Sequence, residues 1–226
     1  MVQRILEPEV MDSPQAAIEY DRMDFTAVNT DFARTALQLG ARGHILDIGT
    51  GTARIPIILC QFANDSTMHI TAIDLAQSML DLAKINVTAA QLEHQITLEL
   101  ADAKQLPYAD HTFDVVISNS IVHHLPDPRP FFREALRVLK PGGGILIRDL
   151  MRPKTIEELE QIVDTIGAGY NPDQRQLFYD SLHAAFTLEE VETMLVECQW
   201  PGVEVYASSD RHWTISRPFL GGGVVK

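Results

Sequence analysis

The sequence predicts an α/β fold in which buried, mostly parallel strands alternate with helices. Short apolar runs end at carboxylates, Gly43 to Ile48 around Asp47 and His69 to Ile73 before Asp74. Apolar residues at helical spacing follow each run: Ile55, Ile57, Ile58 and Cys60 after the first, and Ala76, Met79, Leu80, Ala83 and Val87 after the second. Runs of that length bounded by glycine suit strands covered on both faces, and strands alternating with helices imply a parallel sheet.

Composition sets the outer limits. With 226 residues, 46% apolar and 22% charged, the chain is long enough for one large domain with a substantial core. Its formal net charge of -13 opposes a phosphate backbone, so no nucleic-acid partner is expected and a small molecule is favoured. Cys60 and Cys198 are too few and too distant for a disulfide framework. The first residues, Met1 to Pro14, lack the apolar core of a signal peptide, no run is long enough for a membrane span, and the cytoplasm is the default location.

The first strand breaks into Asp47-Ile48-Gly49-Thr50-Gly51-Thr52-Ala53-Arg54. A strand, a glycine turn and a helix N-terminus make a concave site lined with backbone N–H groups. A dinucleotide site would carry a third glycine where Arg54 stands, and Asp47 would repel a pyrophosphate while attracting a cation. The pattern Asp47-x-Gly49-x-Gly51-x-Ala53 resembles the first motif of the class I S-adenosylmethionine-dependent methyltransferases, small-molecule type, close to the broad ubiquinone/menaquinone-methyltransferase-like group. That family more often has glycine at the position of Ala53.

Further landmarks follow in order. Asp74, with Leu75 beside it, stands where an acidic residue can accept hydrogen bonds from ribose hydroxyls, although it also suits a helix N-cap. Ile96, Leu98 and Leu100 alternate with polar residues as a third strand ending at Ala101-Asp102-Ala103. In the resembled family Asp102 would meet the adenine amino group and the Ala103 N–H the ring. Phe113 to Ser120 is a fourth strand, with Asn119 at the proposed site and His123 and His124 just beyond. Asp127-Pro128 opens a helix through Leu139, and Lys140-Pro141-Gly142-Gly143-Gly144 stops it and returns the chain to the strand Ile145 to Ile147. Leu139-Lys140-Pro141-Gly142-Gly143 is a recognisable signature of the family.

The flanks carry the remaining elements. Ser13-Pro14 starts a short helix through Tyr20 to Met23, and Phe25, Val28, Phe32, Ala36 and Leu39 mark one face of a second. In the family such N-terminal helices lie over the cofactor, so Tyr20 and Met23 are assigned to it. After Asp149, two helices, Lys154 to Gly167 and Asn171 to Ala185, follow one another without a strand, a place to build substrate specificity. Thr187 and Glu190 form a capping box for a further helix, and Val203 to Tyr206 and His212 to Ile215 read as a closing strand pair.

The resemblance covers about residues 43 to 217 and implies a Rossmann-like seven-stranded, mostly parallel sheet with an antiparallel last strand. Residues 1–42 are expected as arm and cap helices, 150–186 as a helical substrate-side insertion, and 218–226 as a flexible tail. The cofactor would be S-adenosyl-L-methionine, leaving S-adenosyl-L-homocysteine, held by Asp47, Gly49, Thr50, Gly51, Asp74, Leu75, Asp102, Ala103, Asn119, Tyr20 and Met23. His123, His124 and Asp149 are the candidates for general-base chemistry on the acceptor. Arg148, Arg152, His183, Arg211, His212 and Trp213 are candidates for binding it. No metal site is expected, because His123, His124, His183 and His212 show no known ligand spacing. RNA or protein methylation, or cofactor binding without catalysis, would leave the same motifs.

Overall fold

A computed structural model of the chain describes residues 2–7 and 12–220. The apolar runs become strands β1 (His44–Ile48), β2 (His69–Asp74), β3 (Ile96–Leu100), β4 (Phe113–Asn119), β5 (Leu139–Leu150), β6 (Glu204–Ala207) and β7 (His212–Arg217). They form one seven-stranded sheet in the order β3-β2-β1-β4-β5-β7-β6. β1 to β5 are parallel, and β7 is antiparallel to both β5 and β6. The sheet is therefore the Rossmann-like α/β architecture that the sequence predicts.

The helices are α1 (Pro14–Arg22), α2 (Thr26–Gln38), α3 (Arg54–Ala63), α4 (Gln77–Ala89), α5 (Arg129–Val138), α6 (Ile156–Ile166), α7 (Pro172–Ala184) and α8 (Leu188–Glu197). Period-two alternation along the strands divides the apolar side chains between two cores. Leu46 and Ile48 of β1 join Phe131 and Phe132 of α5 and Trp213 and Ile215 of β7. Ile45, between them in sequence, joins Phe32 of α2, Leu59 of α3 and Ala83 of α4 on the opposite face. The α6–α7 insertion has a small core of its own, with Leu159, Val163 and Leu182 packed against Leu150. Thr155, Asn171 and Thr187 start α6, α7 and α8 with reciprocal caps from Glu158, Gln174 and Glu190, satisfying otherwise orphaned backbone N–H groups.

Two segments differ from the sequence expectation. The Lys140–Gly144 stretch does not stand apart as a turn: β5 begins at Leu139, and the pairing with β4 shifts register between Phe113 and Val115. The extra residues are absorbed as an irregularity of the strand's start. Nor is residue 218 the start of a loose tail. The Phe219 N–H donates to the Leu39 carbonyl at 2.8 Å, and its ring lies beneath the Arg42 guanidinium. The remainder of that predicted tail, 221–226, lies outside the described residues.

The chain winds outward from β1 to β3, then crosses back to place β4 on the other side of β1. Such a reversal opens a crevice at the carboxyl ends of the strands. Gly49 makes the turn there with φ +76, and a Cβ built on it would sit 2.1 Å from Ile121 Cγ2. Gly49→Ala should lower stability by about 2–4 kcal/mol in urea unfolding, from combined left-handed strain and overpacking.

Candidate functional site

Four strand ends and one cap helix form the first cleft. β1 is followed by Gly49 and Gly51, β2 ends at Asp74 with Leu75 next, β3 is followed by Asp102 and Ala103, and α1 covers the opening with Tyr20. Asn119 and Ser120, ending β4, and His124 complete the wall. Asp74 Oδ2 accepts the Gly51 N–H at 2.8 Å and Oδ1 accepts the Ala76 N–H at 2.9 Å, so one carboxylate ties the glycine turn to the start of α4. Where a dinucleotide site would have its third glycine, Arg54 reaches back to Asp21 of α1 with two bonds of 3.0 and 2.7 Å. That bidentate pair, with Asn86 donating to both Asp21 and the Thr52 carbonyl, holds α1 over the turn.

Asp47 is the unusual group of this cleft. It is 1% exposed, and its Oδ2 has no hydrogen-bond partner among the described residues. Burial pushes its pKa up to about 7, against the nearby Thr50 hydroxyl and with the charge of Asp74 adding to the rise. Tyr20 is pushed up to about 12 by burial and by the same acidic neighbourhood, and stays a neutral phenol. An unsatisfied buried carboxylate beside a glycine turn fits a cationic ligand and disfavours a phosphate.

A second cavity of about 400 Å³ opens from the first and shares Tyr20, Asn119, Ser120 and His124 with it. Phe25 and Val28 near α2, Leu177 and Phe178 of α7, and Tyr170 give it an apolar lining. Arg148, Arg211 and His212 supply its polar edge. Arg148 bonds Asp31 at 2.7 Å and Thr214 at 3.2 Å. His212 is pushed down to about 4 by burial and by the Arg211 charge, so its imidazole is neutral at ordinary pH. Ser120 holds a positive φ of 60°, one of the few non-glycine residues to do so, at the junction of the two spaces.

In the wall of this cavity His123 and His124 form a short 3-10 turn, Val122–His124. Asp149, fully buried, accepts the backbone N–H groups of Val122 and His123 and bonds His123 Nδ1 at 2.5 Å. Glu7 of the N-terminal arm lies on the other side, 3.3 Å from His123 Nε2 and 3.1 Å from His124 Nδ1.

A methyltransferase domain family model matches residues 46–147, which carry β1 to β5 and the first cleft. The chain is 34% identical over 143 residues to a 27-O-demethylrifamycin SV methyltransferase of Amycolatopsis mediterranei, covering 62% of this chain and 52% of that protein. It is 30% identical to a ubiquinone/menaquinone biosynthesis C-methyltransferase of Geotalea daltonii, covering 55% and 53%. Residues 46–147 thus carry a methyltransferase domain similar to those of the class I S-adenosylmethionine-dependent methyltransferases. The chain spans about half the length of these curated relatives. The fold is shared with a solved structure from Methanococcus maripaludis, with a TM-score of 0.71, 24% identity and coverage of 98% of this chain and 100% of that one. S-adenosyl-L-methionine is the cofactor of the family, and the unpartnered Asp47 carboxylate fits its charged amino-acid end.

Within the structure the sequence-predicted residues separate into groups. Gly49, Gly51, Asp74, Leu75, Asp102, Ala103, Asn119 and Tyr20 all line the first cleft. Asp47 and Thr50 lie behind its glycine turn, Asp47 buried and Thr50 half-buried, the Thr50 N–H donating to the Ile73 carbonyl. Met23 lines the second cavity instead of the cofactor cleft, because α1 ends at Arg22 and the chain turns away.

Three substrate assignments are corrected. Trp213 is fully buried in the core, since β7 presents it to the sheet face beneath α5 and α8. Arg152 is buried too and faces away from the second cavity's wall, its two terminal nitrogens bonded to the Ala185 carbonyl and Glu190. His183, on the last turn of α7, packs edge-on against Tyr179 and is not part of the cavity wall. A base role for His123 is also corrected: burial alone would depress its pKa, but Asp149 and Glu7 raise it to about 9, and each ring nitrogen already faces a carboxylate. Asp149 likewise spends its oxygens on the turn it anchors.

Sequence reasoning missed Arg4 and Glu7. Arg4 donates to the carbonyls of His123, Leu125 and Ala184, and its guanidinium stacks 3.7 Å over the Phe186 ring. No local pattern marks these residues, because their partners lie more than a hundred positions away in the chain.

A cation paired with Asp47 would bind in a pH-dependent way. The Asp47 carboxylate must be charged to pair with an ammonium, and its pKa in the ligand-free chain is about 7. Protonation therefore competes with the ligand as pH falls, and calorimetry should show S-adenosylmethionine binding weaken by up to about tenfold per unit of pH below 7. Asp47→Asn should flatten that dependence.

Proposed function

We propose that the chain transfers a methyl group from S-adenosylmethionine to a small-molecule acceptor held in the second cavity. The observation that carries this reading is the shared wall of Tyr20, Asn119, Ser120 and His124, which joins a family cofactor cleft to an apolar space of about 400 Å³. A cavity of that size suits a compact organic ligand and not a polymer. The net charge of -13 supports the same choice. Relatives named for 27-O-demethylrifamycin SV and for ubiquinone/menaquinone biosynthesis agree with a small acceptor.

When bound, the cofactor supplies an activated sulfonium methyl group, so the protein's own task is alignment. Asp47 and the Gly49–Gly51 turn would hold the amino-acid end, Asp74 the ribose hydroxyls, and Asp102 with the Ala103 N–H the adenine. Asn119 stands at the mouth between the two spaces and would orient the reacting end. Phe25, Val28, Leu177 and Phe178 would exclude water around the acceptor, and Arg148, Arg211 and His212 would bind its polar groups. Of the groups expected to handle a proton, His124 alone lines both spaces. A cytoplasmic site of action goes with this reading, and no helix among the described residues is long and apolar enough to cross a membrane.

The test is turnover. Incubation with S-adenosylmethionine and a panel of phenols, quinols and macrocyclic alcohols should yield S-adenosylhomocysteine together with an acceptor heavier by one methyl group, read by mass spectrometry. Asp74→Ala should raise the cofactor Kd by about 10- to 100-fold, as loss of a charged hydrogen-bond acceptor does. Binding that is absent in the parent chain, or unchanged by Asp74→Ala, would overturn the cofactor assignment.

A further inference from the structure

We propose that Glu7, His123 and His124 form a binding site for one divalent transition ion of the zinc class in the wall of the second cavity, with Asp149 orienting the first imidazole. The argument begins with a convergence. Glu7 Oε1 lies 3.3 Å from His123 Nε2, 3.1 Å from His124 Nδ1 and 3.2 Å from Ser181 Oγ, so three polar groups crowd one oxygen. Glu7 Oε2 meets only Ser181, at 3.3 Å, among the described residues. The two imidazoles face each other, with ring centroids 4.1 Å apart and planes inclined by 34°.

These separations suit a metal. Ligand atoms about 2.1 Å from an ion and roughly 100° apart lie about 3.2 Å from one another. The Glu7 oxygen and the two ring nitrogens all lie within 4.8 Å of each other, so a small shift of flexible side chains would seat an ion among them. Two imidazoles and one carboxylate are the donor set of zinc and of ferrous sites, and they disfavour magnesium or calcium, which take oxygen.

Asp149 is the independent observation. Its carboxylate bonds His123 Nδ1 and leaves Nε2 pointing at Glu7, the arrangement in which a carboxylate fixes the tautomer and direction of a metal-ligating histidine. Asp149 is 0% exposed and is itself held by the Val122 and Leu150 N–H groups, so the imidazole has one orientation. Arg4 fixes the remaining partner, since its bonds to the His123 and Leu125 carbonyls seat the arm that carries Glu7 against the 3-10 turn.

His123, His124 and Ser181 belong to the cavity wall, so an ion there would present its open positions to whatever occupies the cavity. A bound zinc-class ion lowers the pKa of a coordinated hydroxyl. The acceptor class this points to is a phenol or enol, whose proton would pass to water. That use rests on the methyl-transfer reading; the metal site itself does not.

The full chain, stripped with EDTA and dialysed, is titrated with CoCl₂ alone at about pH 8, and binding is expected to release protons from the ligands. One Co²⁺ per chain is expected, with visible bands much stronger than those of the hexaaqua ion. Glu7→Gln and His124→Gln should each weaken binding at least about tenfold, and Asp149→Asn by about 10- to 100-fold. Melting of each variant in EDTA reports its folding. Should a variant not fold, X-ray absorption of the parent chain loaded with zinc decides: outer-shell scattering from two imidazoles supports the site, and its absence overturns it. A spectrum of aqueous cobalt, or equal affinity in parent and Glu7→Gln, also overturns the site. Because no S-adenosylmethionine is present, either failure leaves the methyl-transfer reading standing.

Discussion

The parallel pairing of β1 with β2 on one side and β4 on the other is the constraint on which the site depends. Parallel strands end together, so Asp47, Asp74, the Asp102 loop and Asn119 emerge at one edge of the sheet although they span more than seventy positions of chain. The reversal of winding between β3 and β4 keeps helices from covering that edge and leaves a crevice there. The glycine turn can follow β1 closely because Gly49 and Gly51 adopt positive φ, and Ala53 accepts the same conformation at some strain.

Electrostatics divides the crevice into two regimes. Around Asp47 a carboxylate is buried with one oxygen unpartnered and titrates near neutrality, which leaves it ready for a cation. Around His123 the opposite holds, since an imidazole is enclosed by two carboxylates and kept charged. Both arrangements are expensive in isolation, and each makes sense beside a ligand site, where buried ionisable groups gather. His124 bridges the two regions, in contact with the cofactor cleft, the second cavity and Glu7.

The second cavity is assembled from parts that are remote in sequence. α1 and α2 give one side, the α6–α7 insertion another, and the β6–β7 turn a third. The Arg54–Asp21 pair clamps α1 to the cofactor turn, while Arg4 clamps the arm to the histidine turn. The first cleft and the second cavity are thus closed by the same N-terminal segment, which the family model match from residue 46 does not include.

By itself the sequence determined the sheet, the order of its landmarks and the strand ends that line the first cleft, because these rest on local signals. Apolar runs, glycine turns, capping boxes and a carboxylate at each strand end are written within a few neighbouring residues. Only the tertiary structure decided the rest. Trp213 and His212 are adjacent in sequence and equally suggestive, yet strand alternation sends Trp213 into the core and His212 to the cavity. Arg152 looked like a substrate cation until Glu190 and the Ala185 carbonyl claimed it. Glu7 carried no signal at all, and it became part of the site because a strand end, a 3-10 turn and an arm more than a hundred residues away meet at one point. Contacts of that separation depend on how faces pack, and packing is not written in any local pattern.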